Sequence, residues 1–132
     1  MILQLNQKFQ HQFTVDERVY QGFISIFEDK NLLHTSEEFA RKKGFQSRVM
    51  HGNILNGFLS FFIGQLLPTE DVIILSQQIN FKNPVYLNDI LNFEAFVEEQ
   101  SEAVQVSTFK FKFINKENKT VSAGKIQIKE LL

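Results

Sequence analysis

Apolar residues follow a helical period in the first half of this chain and a two-residue period in the second. Residues 2–13 alternate loosely and predict an edge strand or extended arm. Thr14-Val15-Asp16-Glu17 has the form of a capping box, in which the Thr14 hydroxyl and the Glu17 carboxylate satisfy free N–H groups at a helix start. Val19, Tyr20, Phe23, Ile24 and Phe27 then recur on one helical face, which carries the helix to about Glu28. Ser36 before Glu37 and Glu38 predicts another N-cap, and Gly44 stands where a left-handed residue ends a helix. A short helix over about 37–43 follows, with Asp29 to Thr35 left as a tight loop.

From His51 to Leu67 the apolar residues, among them Ile54, Phe58, Leu59, Phe62 and Ile63, occupy all sides of a helical wheel. Such a helix is buried, and Pro68 stops it. Residues 72–81 are rich in β-branched types; Leu91, Phe93, Ala95 and Val97 alternate with other residues, as do Phe109, Phe111 and Phe113 with lysines. The phase slips between Val106 and Phe109, and again near Gly124, which predicts bulges in a strongly curved sheet. Asn115 to Lys119 reads as the last hairpin turn. One wholly apolar helix followed by about four long strands implies an α+β fold in which a curved antiparallel sheet wraps around a long central helix, the hotdog arrangement.

Length and composition narrow the picture. At 132 residues the chain reads as a single domain over 1–132, and its 15 Phe residues are ample for a core with some surface left over for a subunit interface. A net charge of -1 gives no field to hold a nucleic acid. Without cysteine there is no thiolate nucleophile or disulfide, and three histidines present no evident metal cluster. The N-terminus lacks the form of a signal peptide and no run reaches membrane-spanning length, so a cytoplasmic protein that does not enter the membrane is expected.

Chemistry concentrates in two places. Asp29 and His34 form a candidate proton-transfer pair, although five positions apart on a continuous helix they would diverge by roughly 140°. They converge only if the chain turns between them, as the helix-end and N-cap signals require, with Asn31 suited to the turn. Gly52 begins the apolar helix, where a free N–H can meet a developing oxyanion. Read as structure alone, Asp29 is a helix cap, His34 a surface residue, Asn31 a turn former, Gly52 a site of close packing, and Ser60 a buried serine bonded back to its own helix.

These residues resemble those of the MaoC-like (R)-specific enoyl-thioester hydratases and dehydratases. The Asp-x-Asn-Pro-x-His motif of that family stands here as Asp29-Lys30-Asn31-Leu32-Leu33-His34, and its His-Gly helix start as Val49-Met50-His51-Gly52. Ala40, Phe45, Gly64-Gln65, Leu67-Pro68 and Phe81-Lys82-Asn83-Pro84-Val85 extend the likeness over nearly the whole chain. Leu32 departs from the usual proline, and Ser36 from a frequent aspartate.

The resemblance implies reversible syn hydration of trans-2-enoyl thioesters to (3R)-hydroxyacyl thioesters. In it Asp29 and His34 activate water, Gly52 binds the oxyanion, Asn31 orients the loop or water, and Ser60 contacts the thioester. It implies no cofactor beyond the coenzyme A or phosphopantetheine that carries the acyl group, no metal, and a homodimer or dimer of dimers. His51 reads as structural, tying the helix start to a neighbouring segment. Arg41, Lys42, Lys43 and Arg48 form a basic cluster that reads either as a solvated face or as a phosphate contact. A hotdog thioesterase and a non-catalytic acyl-thioester-binding module are the alternatives. Many thioesterases of this fold place a carboxylate on the central helix, and residues 51–67 contain none.

Overall fold

The computed structural model describes residues 1–131. Strands β1 (Lys8–Thr14), β2 (Val72–Phe81), β3 (Ile90–Ser101), β4 (Val106–Ile114) and β5 (Thr120–Glu130) form one sheet in the order β1-β3-β4-β5-β2, and every pairing is antiparallel. The helices α1 (Glu17–Phe27), α2 (Leu32–Thr35), α3 (Glu37–Lys42) and α4 (Asn53–Phe61) all lie between β1 and β2 in the chain. This is the hotdog architecture anticipated from the hydrophobic pattern.

The core forms where the inward face of the sheet meets α4. Leu91, Phe93, Ala95 and Val97 of β3 are buried, as are Phe109, Phe111 and Phe113 of β4, as their alternation requires. Phe13 of β1 stacks on Phe58 of α4 with ring centroids 4.4 Å apart, and Phe62 meets Phe93 at 4.8 Å. Aromatic contacts of this kind add directional preference to plain area burial.

The start of α1 departs from the sequence expectation. Thr14 is the last residue of β1, paired with Ile90, and the cap is Asp16, whose carboxylate accepts from the Val19 N–H at 2.9 Å. Val15, wholly buried, lies between them, and its N–H donates to the Asp89 carbonyl oxygen. The strand ladder thus takes Thr14 and moves the cap two residues on. Ser36 does cap α3, accepting from the Phe39 N–H at 3.1 Å, and Gly44 follows with φ of 93°. The segment Asp29 to Thr35, expected as loop, contains the single helical turn α2 capped by Asn31.

The central helix also differs. It is α-helical only over Asn53–Phe61 and widens into a π-helical turn over Phe62–Leu66 before Leu67 extends into Pro68. Its burial is one-sided: Ile54, Leu55, Leu59, Phe62 and Ile63 are buried, whereas Ser60, Gly64 and Gln65 are exposed and Phe61 is 42% exposed. The sheet and α1 cover only part of the circumference.

The bulges fall close to the predicted phase slips but on different residues. Glu98 is the extra residue where Val97 pairs with Phe109 and Glu99 with Thr108, so the slip seen in β4 is absorbed by its partner strand. Val121 is the extra residue between the Phe113–Ser122 and Ile114–Thr120 pairs, ahead of Gly124. Gly124 itself serves another purpose: a β-carbon there would fall onto the Gln78 carbonyl oxygen, so glycine lets β2 lie close to β5. A further bulge at Leu75 bends β2.

Candidate active site

The site begins where α1 ends. Glu28 takes a left-handed conformation with φ of 59°, its N–H bonded to the Ile24 carbonyl oxygen, and the chain turns away from the helix axis. Asp29 follows at once. One of its carboxylate oxygens, Oδ1, accepts from the Asn31 N–H at 3.2 Å, while the Asn31 side chain accepts from the Leu33 N–H at 3.0 Å. Successive Asx turns of this kind fold five positions into a tight reversal. The reversal brings Oδ2 of Asp29 to 3.8 Å from Nε2 of His34.

The tautomer of His34 follows from its other nitrogen. Nδ1 lies 2.7 Å from the Val49 carbonyl oxygen, which can only accept, so Nδ1 carries the proton and neutral His34 presents a lone pair at Nε2. The 3.8 Å gap to Asp29 is too wide for a direct hydrogen bond and suits a water bonded at about 2.8 Å to each group. The His34 side chain is 17% exposed and that of Asp29 51%, so the pair stands at the mouth of a recess. The backbone of His34 is held in turn by the Tyr20 hydroxyl, which donates to its carbonyl oxygen at 2.6 Å.

His51 is buried beneath the pair. Its Nε2–H donates to the Asp29 carbonyl oxygen at 2.8 Å, and its ring lies against that of His34 with centroids 3.9 Å apart and planes inclined by 30°. Nδ1 is buried and has no partner among the described residues. Burial holds the imidazole below its ordinary pKa and the neighbouring His34 acts in the same direction, against the opposing pull of the bond to the Asp29 carbonyl. His51 is therefore the neutral, Nε2-protonated tautomer.

Gly52 precedes α4, and that helix start has no side-chain cap; the Ile54 and Leu55 N–H groups bond to the His51 and Gly52 carbonyl oxygens, which leaves those of Gly52 and Asn53 to meet an anion. The backbone here is ordinary, with φ of -58°; what glycine spares is a contact with the Phe81 side chain. A β-carbon would come to 2.8 Å from the Phe81 ring. The close neighbour is thus a side chain rather than backbone.

Two cavities meet at this point. One of about 730 Å³ runs between α1 and α4 from Asp29, past Val19, Phe23, Gly57 and Phe58. The other, about 400 Å³, is lined by His34, Gly52, Leu55, Phe81 and Lys82. Asn53 lines both, so Asp29 on one side and His34 with Gly52 on the other border neighbouring recesses.

The remaining sequence candidates divide. Asn31 shapes the turn and is exposed. Ser60 is exposed on the uncovered face of α4 and lines neither cavity, which also removes the reading of a buried serine bonded to its own helix. Arg41 and Lys42 pair with Glu37 and Glu38 of their own helix, at 3.2 Å and 3.1 Å, and Arg48 lies over the Tyr20 ring.

Sequence gave no evident metal cluster, yet the fold brings ligand atoms of Asp29, His34 and His51 within 4.8 Å of one another. The two imidazoles do not suit a shared ion. Lone pairs lie in the ring planes, and two rings set face to face, with centroids 3.9 Å apart and planes inclined by 30°, do not aim them at one point within the roughly 2.0–2.1 Å that coordination requires. Tyr20, Val49 and Asn53 escaped notice as site residues. The Val49 role is carried by a backbone carbonyl, for which the residue type gives no signal.

Comparison with known proteins bears on the family and the fold. The model of the MaoC like domain matches residues 3–119. The 3-hydroxybutyryl-CoA dehydratase of Methylorubrum extorquens is 37% identical over 78 residues, covering 59% of this chain and 50% of that protein. The (R)-specific enoyl-CoA hydratase of Aeromonas caviae is 33% identical over 87 residues, covering 66% of this chain and 65% of that one. These matches span only half to two thirds of the curated relatives' own length. Among solved structures, the (R)-hydratase from A. caviae involved in PHA biosynthesis superposes with a TM-score of 0.89 at 26% identity, covering 97% of each chain. An R-hydratase of Pseudomonas aeruginosa, in its unliganded form, does so at 0.87 and 28%, over 98% of this chain and 83% of that one.

Proposed function

The chain belongs to the family of MaoC-like domains, and from that membership we propose that it catalyses the reversible syn hydration of trans-2-enoyl thioesters to (3R)-hydroxyacyl thioesters. The observation that carries this reading is the open Nε2 of His34 facing Oδ2 of Asp29 across 3.8 Å, beside an uncapped helix start. A water held between them is polarised by two acceptors. Its oxygen bonds to the β-carbon of the enoyl group while the pair takes up its proton, and the π electrons pass to the thioester oxygen. That oxygen, now anionic, meets the Gly52 N–H at the positive end of α4. Return of the proton from the pair to the α-carbon, on the face where the oxygen added, completes a syn addition. Dehydration is the same path reversed.

The reading requires no metal or further cofactor. The acyl group arrives as its coenzyme A or phosphopantetheine thioester, in a cytoplasmic setting of fatty-acid metabolism. It also includes a homodimer, supported by the uncovered side of α4 and by β2 at the sheet edge, where Ile73 and Leu75 are each 50% exposed.

Asp29→Asn and His34→Ala test the proposed pair. Each is expected to lower turnover of an enoyl-CoA by on the order of a hundredfold or more, as for positioned acid–base groups, with thermal unfolding close to that of the parent. Near-parental turnover in both variants would remove the pair from the reaction.

A further inference from the structure

The short stretch Val49-Met50-His51 touches both members of the pair. The Val49 carbonyl oxygen accepts from His34, and two residues later His51 donates to the Asp29 backbone. The stretch is itself fixed: the Met50 N–H donates to the Val85 carbonyl oxygen at 2.8 Å, Val49 bridges to Tyr86, and Met50 and His51 are each 3% exposed. Asp29, by contrast, lies in an exposed turn whose other bonds are local. Left to those bonds, the turn could hinge away from His34.

We infer that His51 is a positioning residue, whose N–H anchors the Asp29 backbone and whose ring backs that of His34, so that one rigid segment sets the gap into which the water fits. This role rests on the hydratase reading and goes beyond the tie to a neighbouring segment that the sequence suggests. His51 does not act as a second base. Its single proton is committed to the Asp29 carbonyl, and its free nitrogen is buried away from both cavities' linings. The ring also rests on Phe23 of α1, at 4.6 Å between centroids, so the segment, the turn and the helix over the larger cavity share one contact point.

Three variants separate the anchor from mere filling of space. Gln places an amide N–H near the position of Nε2; Met has almost the same shape and no donor; Phe keeps the ring and loses the donor. A gross misfit is not needed for an effect, since displacement by about 1 Å can cost on the order of a hundredfold in rate. With an enoyl-CoA as probe, His51→Met and His51→Phe are each expected to lower kcat tenfold or more with KM within threefold of the parent. His51→Gln is expected to recover most of that loss, although its melting temperature falls as far as that of His51→Met. Parental kcat in a folded Met or Phe variant would overturn the role, as would a Gln variant no faster than Met. Should Phe not fold, the Gln–Met comparison decides alone. Absence of turnover in the parent chain would instead remove the hydratase reading and the role with it; an active parent with unaffected variants removes only the role.

Discussion

At His34 one ring nitrogen is committed to the Val49 carbonyl oxygen and the other is left open, which gives a neutral imidazole a defined direction for accepting a proton. The beneath-lying His51 has the opposite arrangement, with its outer nitrogen used and its inner one buried. That contrast has a consequence for stability. In the unfolded chain His51 titrates near the ordinary value of 6.5, whereas burial in the fold lowers its pKa. Below 6.5 the unfolded state therefore binds more protons than the folded one, and stability falls as the pH is lowered. Above that value the penalty is absent. The groups facing His51 are His34, Asp29 and Tyr20. Thermal melts are expected to show a lower transition at pH 5.5 than at pH 7.5, and a smaller difference in His51→Gln; an equal or larger difference in that variant would assign the acid sensitivity elsewhere.

Among the elements, α2 explains the departure at Leu32. Asn31 has φ of -51° and ψ of 140°, the extended conformation preferred before proline, and Leu32 is the first residue of the helical turn. Its N–H has no intrahelical partner and its side chain is 55% exposed. Leu32→Pro is thus expected to raise stability by about 0.4–1 kcal/mol, through loss of freedom in the unfolded chain. A calorimetric melt a few degrees higher would bear this out, and a lower one would show that the turn needs that N–H. Local signals of this kind were legible in the sequence: Ser36 as a cap, Gly44 as a stop, the alternation in β3 and β4, and the turn that joins Asp29 to His34. What escaped depended on partners distant in sequence. Pairing of Thr14 with Ile90 moved the α1 cap to Asp16, a bulge in β3 answered the slip in β4, and the Asp29 contact of His51 lies between separate segments. Burial of α4 was overestimated because apolar composition does not tell which side of a helix its neighbours cover.

For the molecule as a whole, one copy leaves a flank of the central helix uncovered, with Phe61 42% exposed and Ile73, Leu75 and Phe81 at 50%, 50% and 53%. Apolar side chains grouped beside a free sheet edge suit an interface better than solvent. Sedimentation at micromolar concentration is expected to give twice the mass of the chain, and a fully active monomer would contradict the homodimer. Within each copy the two cavities share Asn53 and flank the Asp29–His34 gap and the start of α4, and the proposed hydration is decided by what happens to an acyl thioester offered there. The most direct measurement follows a trans-2-enoyl-CoA with the parent protein, recording enoyl absorbance, free thiol and product configuration together. Loss of enoyl absorbance without thiol release, yielding the (3R)-hydroxyacyl thioester, is the predicted result; release of free thiol, or tight binding with no turnover at high protein concentration, would contradict it.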